Sequence, residues 1–242
     1  MIIIILTLLA GCVPSLIVFF WLRNYLRNSN PLYKKNCDRM LAAGFLTVFP
    51  VILFSGCTTV LVGVLGVKNT HPLLYAALNA FVILALSEEL SKFFMFRRRI
   101  NKIEGEHSWL DLIIYSTIVG IGFGLLESIV YVVGSNPAVL LIRGICVPHG
   151  GYAAIVGYFY GKSLKERKRG FAVFGILLAF LMHGFYDFGL ADGVVDRSEA
   201  FGVITIVLAA LNLVIIVALI IFLIKNKNNT KYTEPLKKTQ MP

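Results

Sequence analysis

Charge is scarce in this chain. Asp, Glu, Lys and Arg make up only 15% of its 242 residues, and 57% are hydrophobic. A soluble domain carries about 25% charged residues, so a mean hydropathy of +0.79 excludes a water-soluble globule. Cysteines are few and unpaired in spacing: Cys12, Cys37, Cys57 and Cys146 suggest neither a disulfide framework nor a cysteine zinc site. There is no internal repeat, no low-complexity block and no soluble domain. The formal charge of +10 does not signal nucleic acid, because the basic residues fall in short loops between apolar runs, as membrane topology requires.

What is present is a series of apolar runs. Seven are long enough to cross about 30 Å of hydrocarbon: 2–22, 40–66, 73–96, 110–133, 138–161, 171–190 and 201–224. The expectation is an all-α, polytopic membrane helical bundle. Residues 1–224 form one domain, and 225–242 form a polar, disordered cytoplasmic tail. The loops alternate in charge. Basic residues crowd 23–39, 97–109, 162–170 and the tail, while the other connections hold only Lys68 and Arg197 as fixed positive charges. The positive-inside rule then places the N-terminus outside and the C-terminus in the cytoplasm for all seven spans. Leu9-Ala10-Gly11-Cys12 has the look of a lipoprotein cleavage box. The apolar run continues past Cys12 without a basic leader, so this stretch reads as a span and not as a signal peptide.

Four of the spans are interrupted by ionisable residues. Glu88, Glu89 and Lys92 lie in the third, Glu127 in the fourth, Arg143 and His149 in the fifth, His183 and Asp187 in the sixth. A charge at the bilayer centre costs roughly 2.5–3.5 kcal/mol even on the mildest scale, so the six formally charged residues would together cost about 15–20 kcal/mol. That exceeds the roughly 5–15 kcal/mol stability of many domains. The groups must face one another inside the bundle, and periodicity allows it. Ala85, Glu88, Glu89, Lys92 and Phe96 share one helical face, with Glu88 and Lys92 at i,i+4 as an expected ion pair. Gly120, Gly124, Glu127 and Tyr131 form a stripe whose small residues admit another backbone. Pro148 precedes His149 and is expected to kink its helix. His183 and Asp187 are i,i+4. A purely structural role explains each group singly, but less well all four spans together. At a rise of 1.5 Å per residue, Glu127 and His183 lie about 10 Å from the outer end, His149 about 15–20 Å and Glu88 about 20 Å.

These residues resemble the motifs of the PrsW family of intramembrane proteases. Ser87-Glu88-Glu89-Leu90-Ser91-Lys92 resembles its EExxK motif, and Phe123 to Glu127 and Tyr131 its FxxxExxxY. Arg143 through His149 to Gly157 is similar to the third motif, and His183-Gly184-Phe185-Tyr186-Asp187 to the last, HxxxD or HxxxN. The resemblance covers about 80–190 in the family's order. It implies a fold related to the CAAX prenyl endopeptidases and bacteriocin-immunity proteases. It implies hydrolysis of a peptide bond in a membrane-anchored, single-span protein such as an anti-sigma factor, cut on its extracytoplasmic side at the cytoplasmic membrane.

Peptide hydrolysis needs an activated water, an oxyanion stabiliser and a proton donor. On this reading Glu88, with Glu89, is the base. His149 and His183 position the water and stabilise the oxyanion, Asp187 orients His183, and Glu127 completes the water site or donates a proton. Lys92, Tyr131 and Arg143 support the site. In a second version Glu88, Glu127, His149 and His183 offer ligands for Zn2+. No HExxH motif is present, and the sequence leans slightly to the metal-free version. The alternatives from other classes are a proton-coupled transporter or channel, against which no two-half repeat is found, and a non-catalytic scaffold.

Overall fold

A computed structural model describes residues 2–25, 32–103, 105–131, 147–191, 194 and 199–236. The described chain is helical, its one β-bridge joining Ser108 to Pro235. In order the elements are α1 (Ile2–Tyr25), α2 (Tyr33–Leu46), α3 (Val48–Val64), α4 (Val67–Thr70), α5 (Pro72–Ala77), a π-helical segment (Leu78–Leu86), α6 (Ser87–Ile100), α7 (Trp109–Tyr131), α8 (Pro148–Glu166), α9 (Gly170–Leu190), α10 (Glu199–Asn226) and α11 (Thr230–Thr233).

Six stretches are long and apolar enough to cross a membrane: Leu8–Tyr25, Tyr33–Val64, Pro72–Ile100, Trp109–Val130, Gly170–Leu190 and Glu199–Asn226. They account for six of the seven expected spans. The fifth, 138–161, is not among them: residues 138–146 lie outside the described residues, and the rest falls in α8, which begins at Pro148. The second span begins at Tyr33, seven positions before its apolar boundary at 40. Backbone hydrogen bonding carries a helix beyond the lipid, and hydropathy reports only the part that meets it. The early turns are anchored by Tyr33, whose hydroxyl donates to Leu22 O (2.6 Å), and by Arg23, which forks onto both oxygens of Asp38 (2.6 and 2.7 Å). The break at Thr47 also has a local cause. Pro50 has no N–H for the carbonyl of Leu46, and Thr47 Oγ1 bonds back to Ala43 O (3.0 Å).

α7 is the axis of the bundle. Leu112, Ile113, Ile114, Tyr115, Ile118, Val119 and Ile121 are all buried, so this helix is apolar on every side because protein surrounds it. The outer helices turn apolar residues outward: Phe49 and Val60 of α3 and Ile206 of α10 are each 67–68% exposed, as lipid-facing positions are. α7 and α8 approach each other closely. A Cβ on Gly120 would collide with the His149 carbonyl oxygen and lie 2.6 Å from the Ala153 Cβ, and one on Gly157 would lie 2.8 Å from Leu112 O. The small-residue stripe thus seats His149 against α7.

Beyond α10 the described chain continues to Leu236. Asn229 caps α11 by accepting from Lys231 N (3.1 Å). Tyr232 packs on Trp109 (4.8 Å) and Phe222 (5.0 Å), and Leu236 N donates to His107 O (2.9 Å). The composition of 225–242 is polar on average, but Tyr232 and Leu236 supply enough apolar surface to dock. His107 itself is buried beneath this strap, edge-on to Tyr115 (5.8 Å). Burial pushes its pKa below the usual histidine value, outweighing the nearby Asp111 carboxylate. The unfolded chain takes up a proton near pH 6.5 while the folded chain resists it, so stability holds above that pH and declines as the pH falls below it. Thermal unfolding scanned from pH 5 to 8 should show this slope, and His107→Phe should flatten it.

Candidate active site

The π-helical turns before α6 pack by way of Phe81. Its ring lies against Gly184 of α9, where no Cβ would fit, and against Phe180 (5.8 Å) and Phe185 (5.0 Å). α6 therefore starts tightly apposed to α9, and Glu88, Glu89 and Lys92 are all buried while Leu90 faces outward. The pairing within this group differs from the expected i,i+4 bridge. Lys92 Nζ meets Glu89 Oε1 at 2.5 Å (i,i+3). Glu88 turns instead toward the histidines of α8 and α9. Both spacings bring side chains together on a helix, and the contacts across the bundle decide between them.

His149 stands in the first turn of α8. Pro148 opens that helix at its first position, where a missing N–H costs nothing, and so it kinks no described helix. One nitrogen of His149, Nε2, is bonded to Glu127 Oε2. The other, Nδ1, lies 3.1 Å from Lys92 Nζ and 3.9 Å from Glu88 Oε2. His183 repeats the arrangement from α9. Its Nδ1 is 2.8 Å from Glu89 Oε1, and its Nε2 is 3.7 Å from Glu88 Oε2. Each ring is thus held on its far side by a carboxylate and presents its other nitrogen to Glu88. Asp187 Oδ2 approaches His183 Nε2 at 3.1 Å.

Sequence reasoning named Glu88, Glu89, Lys92, Glu127, His149, His183 and Asp187, and the fold brings all seven together. Arg143 lies outside the described residues. Tyr131 ends α7, and only its backbone is described. Two further residues were missed. The Tyr152 ring stacks on His183 (5.1 Å between centroids, 20° between planes). The Tyr152 hydroxyl accepts from Asn212 Nδ2 of α10 (3.0 Å). A signal for Tyr152 was its place one turn after His149. The signal for Asn212 was an amide standing alone in the apolar run 206–224.

The donor set suits a divalent ion. Glu88, His149 and His183 each offer a ligand atom, all within 4.8 Å of one another. Glu88 Oε2 is buried without a hydrogen-bond partner, whereas His183 Nε2 has Asp187 Oδ2 at 3.1 Å. The near nitrogens of both rings converge on the Glu88 carboxylate within the reach of one ion, with Asp187 beside His183 Nε2 as a further acceptor and Lys92 beside His149 Nδ1. Carboxylates behind metal-binding histidines are the usual means of fixing their tautomers. Lys92 supplies one positive charge here. An ion on His149 Nδ1 would displace Lys92 from that nitrogen and leave it on Glu89. Of the four ligands considered from sequence, Glu127 stands apart, engaged on the far side of His149.

Carboxylates and imidazoles gathered within apolar helices define a membrane-embedded protein with a buried ionisable centre. Residues 37–224 match the PrsW family intramembrane metalloprotease, and the chain belongs to that family. It is 26% identical over 185 residues to Protease PrsW of Oceanobacillus iheyensis, covering 74% of this chain and 80% of that one. To Protease PrsW of Geobacillus kaustophilus it is 28% identical over 184 residues (74% and 76% covered), and to that of Clostridioides difficile 27% over 194 (74% and 77%). No solved structure gives a significant match.

Proposed function

We propose that this protein is a multi-pass endopeptidase of the cell membrane that hydrolyses a peptide bond of a single-span, membrane-anchored protein. The observation that carries the reading is the pair of carboxylate-backed histidines facing Glu88 inside the bundle. Family membership supports peptide hydrolysis. The loop charges support an external N-terminus and a cytoplasmic C-terminus, and the depths of Glu127, His149 and His183 along their spans support a cut in the outer half of the bilayer.

Glu88 is the base. Its Oε2 accepts a proton from the attacking water, whose oxygen adds to the scissile carbonyl, and the same carboxyl returns the proton to the leaving nitrogen. Glu127 and Glu89 keep His149 and His183 in the tautomers that face this water. Lys92 balances Glu89, and Asp187 borders the water beside His183 Nε2. In a second version, favoured by the convergence of their ligand atoms, Glu88, His149 and His183 would instead hold a zinc ion, which would supply a Lewis acid and a water of near-neutral acidity in place of the Glu88 base.

Reconstituted protein should cleave a single-span reporter in liposomes. Transport of protons or solutes without cleavage would refute the reading. Protein stripped by chelation should bind one zinc per chain, and Glu127→Gln should weaken that binding 10–100-fold by freeing the His149 ring. Full cleavage after exhaustive chelation, with no zinc bound, would leave Glu88 as base and remove the metal.

A further inference from the structure

α10 carries none of the motifs, yet it reaches the site. Asn212 is fully buried and is the one polar residue between Ile206 and Ile224. An amide in lipid-facing sequence is costly unless it is partnered. Asn212 Nδ2 donates to Tyr152 OH (3.0 Å) and to Leu208 O (3.0 Å), and its Oδ1 is left without a partner. A residue present only to join two helices would gain by satisfying both ends of its amide. The arrangement instead leaves the oxygen unmatched and spends one of the two amide hydrogens on a hydroxyl of another helix. That hydroxyl belongs to the ring lying flat on His183, whose opposite constraints are the Glu89 bond (2.8 Å) and the edge of His149 (5.1 Å).

We infer that Asn212 and Tyr152 are a positioning pair for the active-site histidine. The amide of α10 sets the rotation of the tyrosine, and the tyrosine face sets the plane of His183, so that Nε2 is held between Asp187 Oδ2 (3.1 Å) and Glu88 Oε2 (3.7 Å). The inference rests on the hydrolytic reading of the site. It gives α10 a function that its sequence does not advertise.

The test uses the full-length protein in liposomes with a single-span reporter, and in micelles with histidine-selective isotope labelling. The chain has four histidines, so the ring signals are few and assignable by substitution. In the wild type the stacked tyrosine should move the His183 ring protons upfield. Asn212→Leu should reduce that shift. Tyr152→Phe and Asn212→Leu should each lower kcat about tenfold with KM within twofold. The double variant should be no slower than either single one, because both act through one hydrogen bond. If Asn212→Leu fails to fold, Tyr152→Phe, which removes a single oxygen, carries the test alone. An unchanged His183 signal, or kcat unchanged in folded variants, would overturn the inference, as would losses that add in the double variant. A wild type that cleaves nothing would defeat the protease reading instead, and the His183 signal would still report the positioning.

Discussion

Glu88→Gln should lower kcat for the reporter by 10²–10⁴-fold, the usual contribution of a general base, while thermal stability stays level or rises. A loss of that size is about 3–5 kcal/mol of transition-state stabilisation. Glutamine keeps the shape of the side chain and its place on α6, so packing is preserved, but it cannot accept the water's proton. The stability half of the expectation comes from the orphaned oxygen. A buried carboxylate oxygen without a hydrogen-bond partner costs free energy in the folded state, and a protein that keeps such a group sacrifices stability for activity. If Glu88 served only the fold, the two outcomes would reverse, with cleavage within tenfold of wild type and a lower unfolding temperature. Measuring kcat and the unfolding temperature on the same preparation separates the cases.

The pattern of this site was legible because lipid makes polar residues conspicuous. Glu88, Glu89, Glu127, His149 and His183 stand out in apolar runs, and a period of 3.6 puts them on inward faces. Which partner each one takes was not legible. Three- and four-residue spacings both permit contact, so Lys92 could bond Glu88 or Glu89. The choice is made by His149 and His183, which belong to other helices. The π-helical turns at Leu78–Leu86 have no sequence mark, since the segment is a plain apolar run. Their effect depends on Phe81 meeting Gly184 across the bundle. The helix break at Thr47 was available in Pro50. Hydropathy passes over it because proline interrupts hydrogen bonds without interrupting an apolar window. Asn212 was hidden for a different reason: a single amide is common in spans as a link between helices, and only the tyrosine beneath it reveals a connection to His183.

Lys92→Leu should destabilise the protein by about 3–5 kcal/mol, the cost of breaking one side of a buried ion pair, and should abolish cleavage. Lys92 is buried, bonded to Glu89 at 2.5 Å, within 3.1 Å of His149 Nδ1, and 5.0 Å above the Phe123 ring. Its removal leaves Glu89 in an apolar interior with His183 as its remaining partner. The double variant Lys92→Leu/Glu89→Leu removes both charges, and apolar replacement of a whole buried pair is often neutral or stabilising. Denaturant unfolding in micelles should therefore return most of the lost stability, with a coupling energy of about 1–3 kcal/mol. Cleavage should not return, because His183 Nδ1 has lost the carboxylate that fixes its tautomer. Recovery of stability together with activity would make the Lys92–Glu89 pair mere glue between helices. Recovery of stability alone would mean that the pair is kept for His183, and that the fold could do without it.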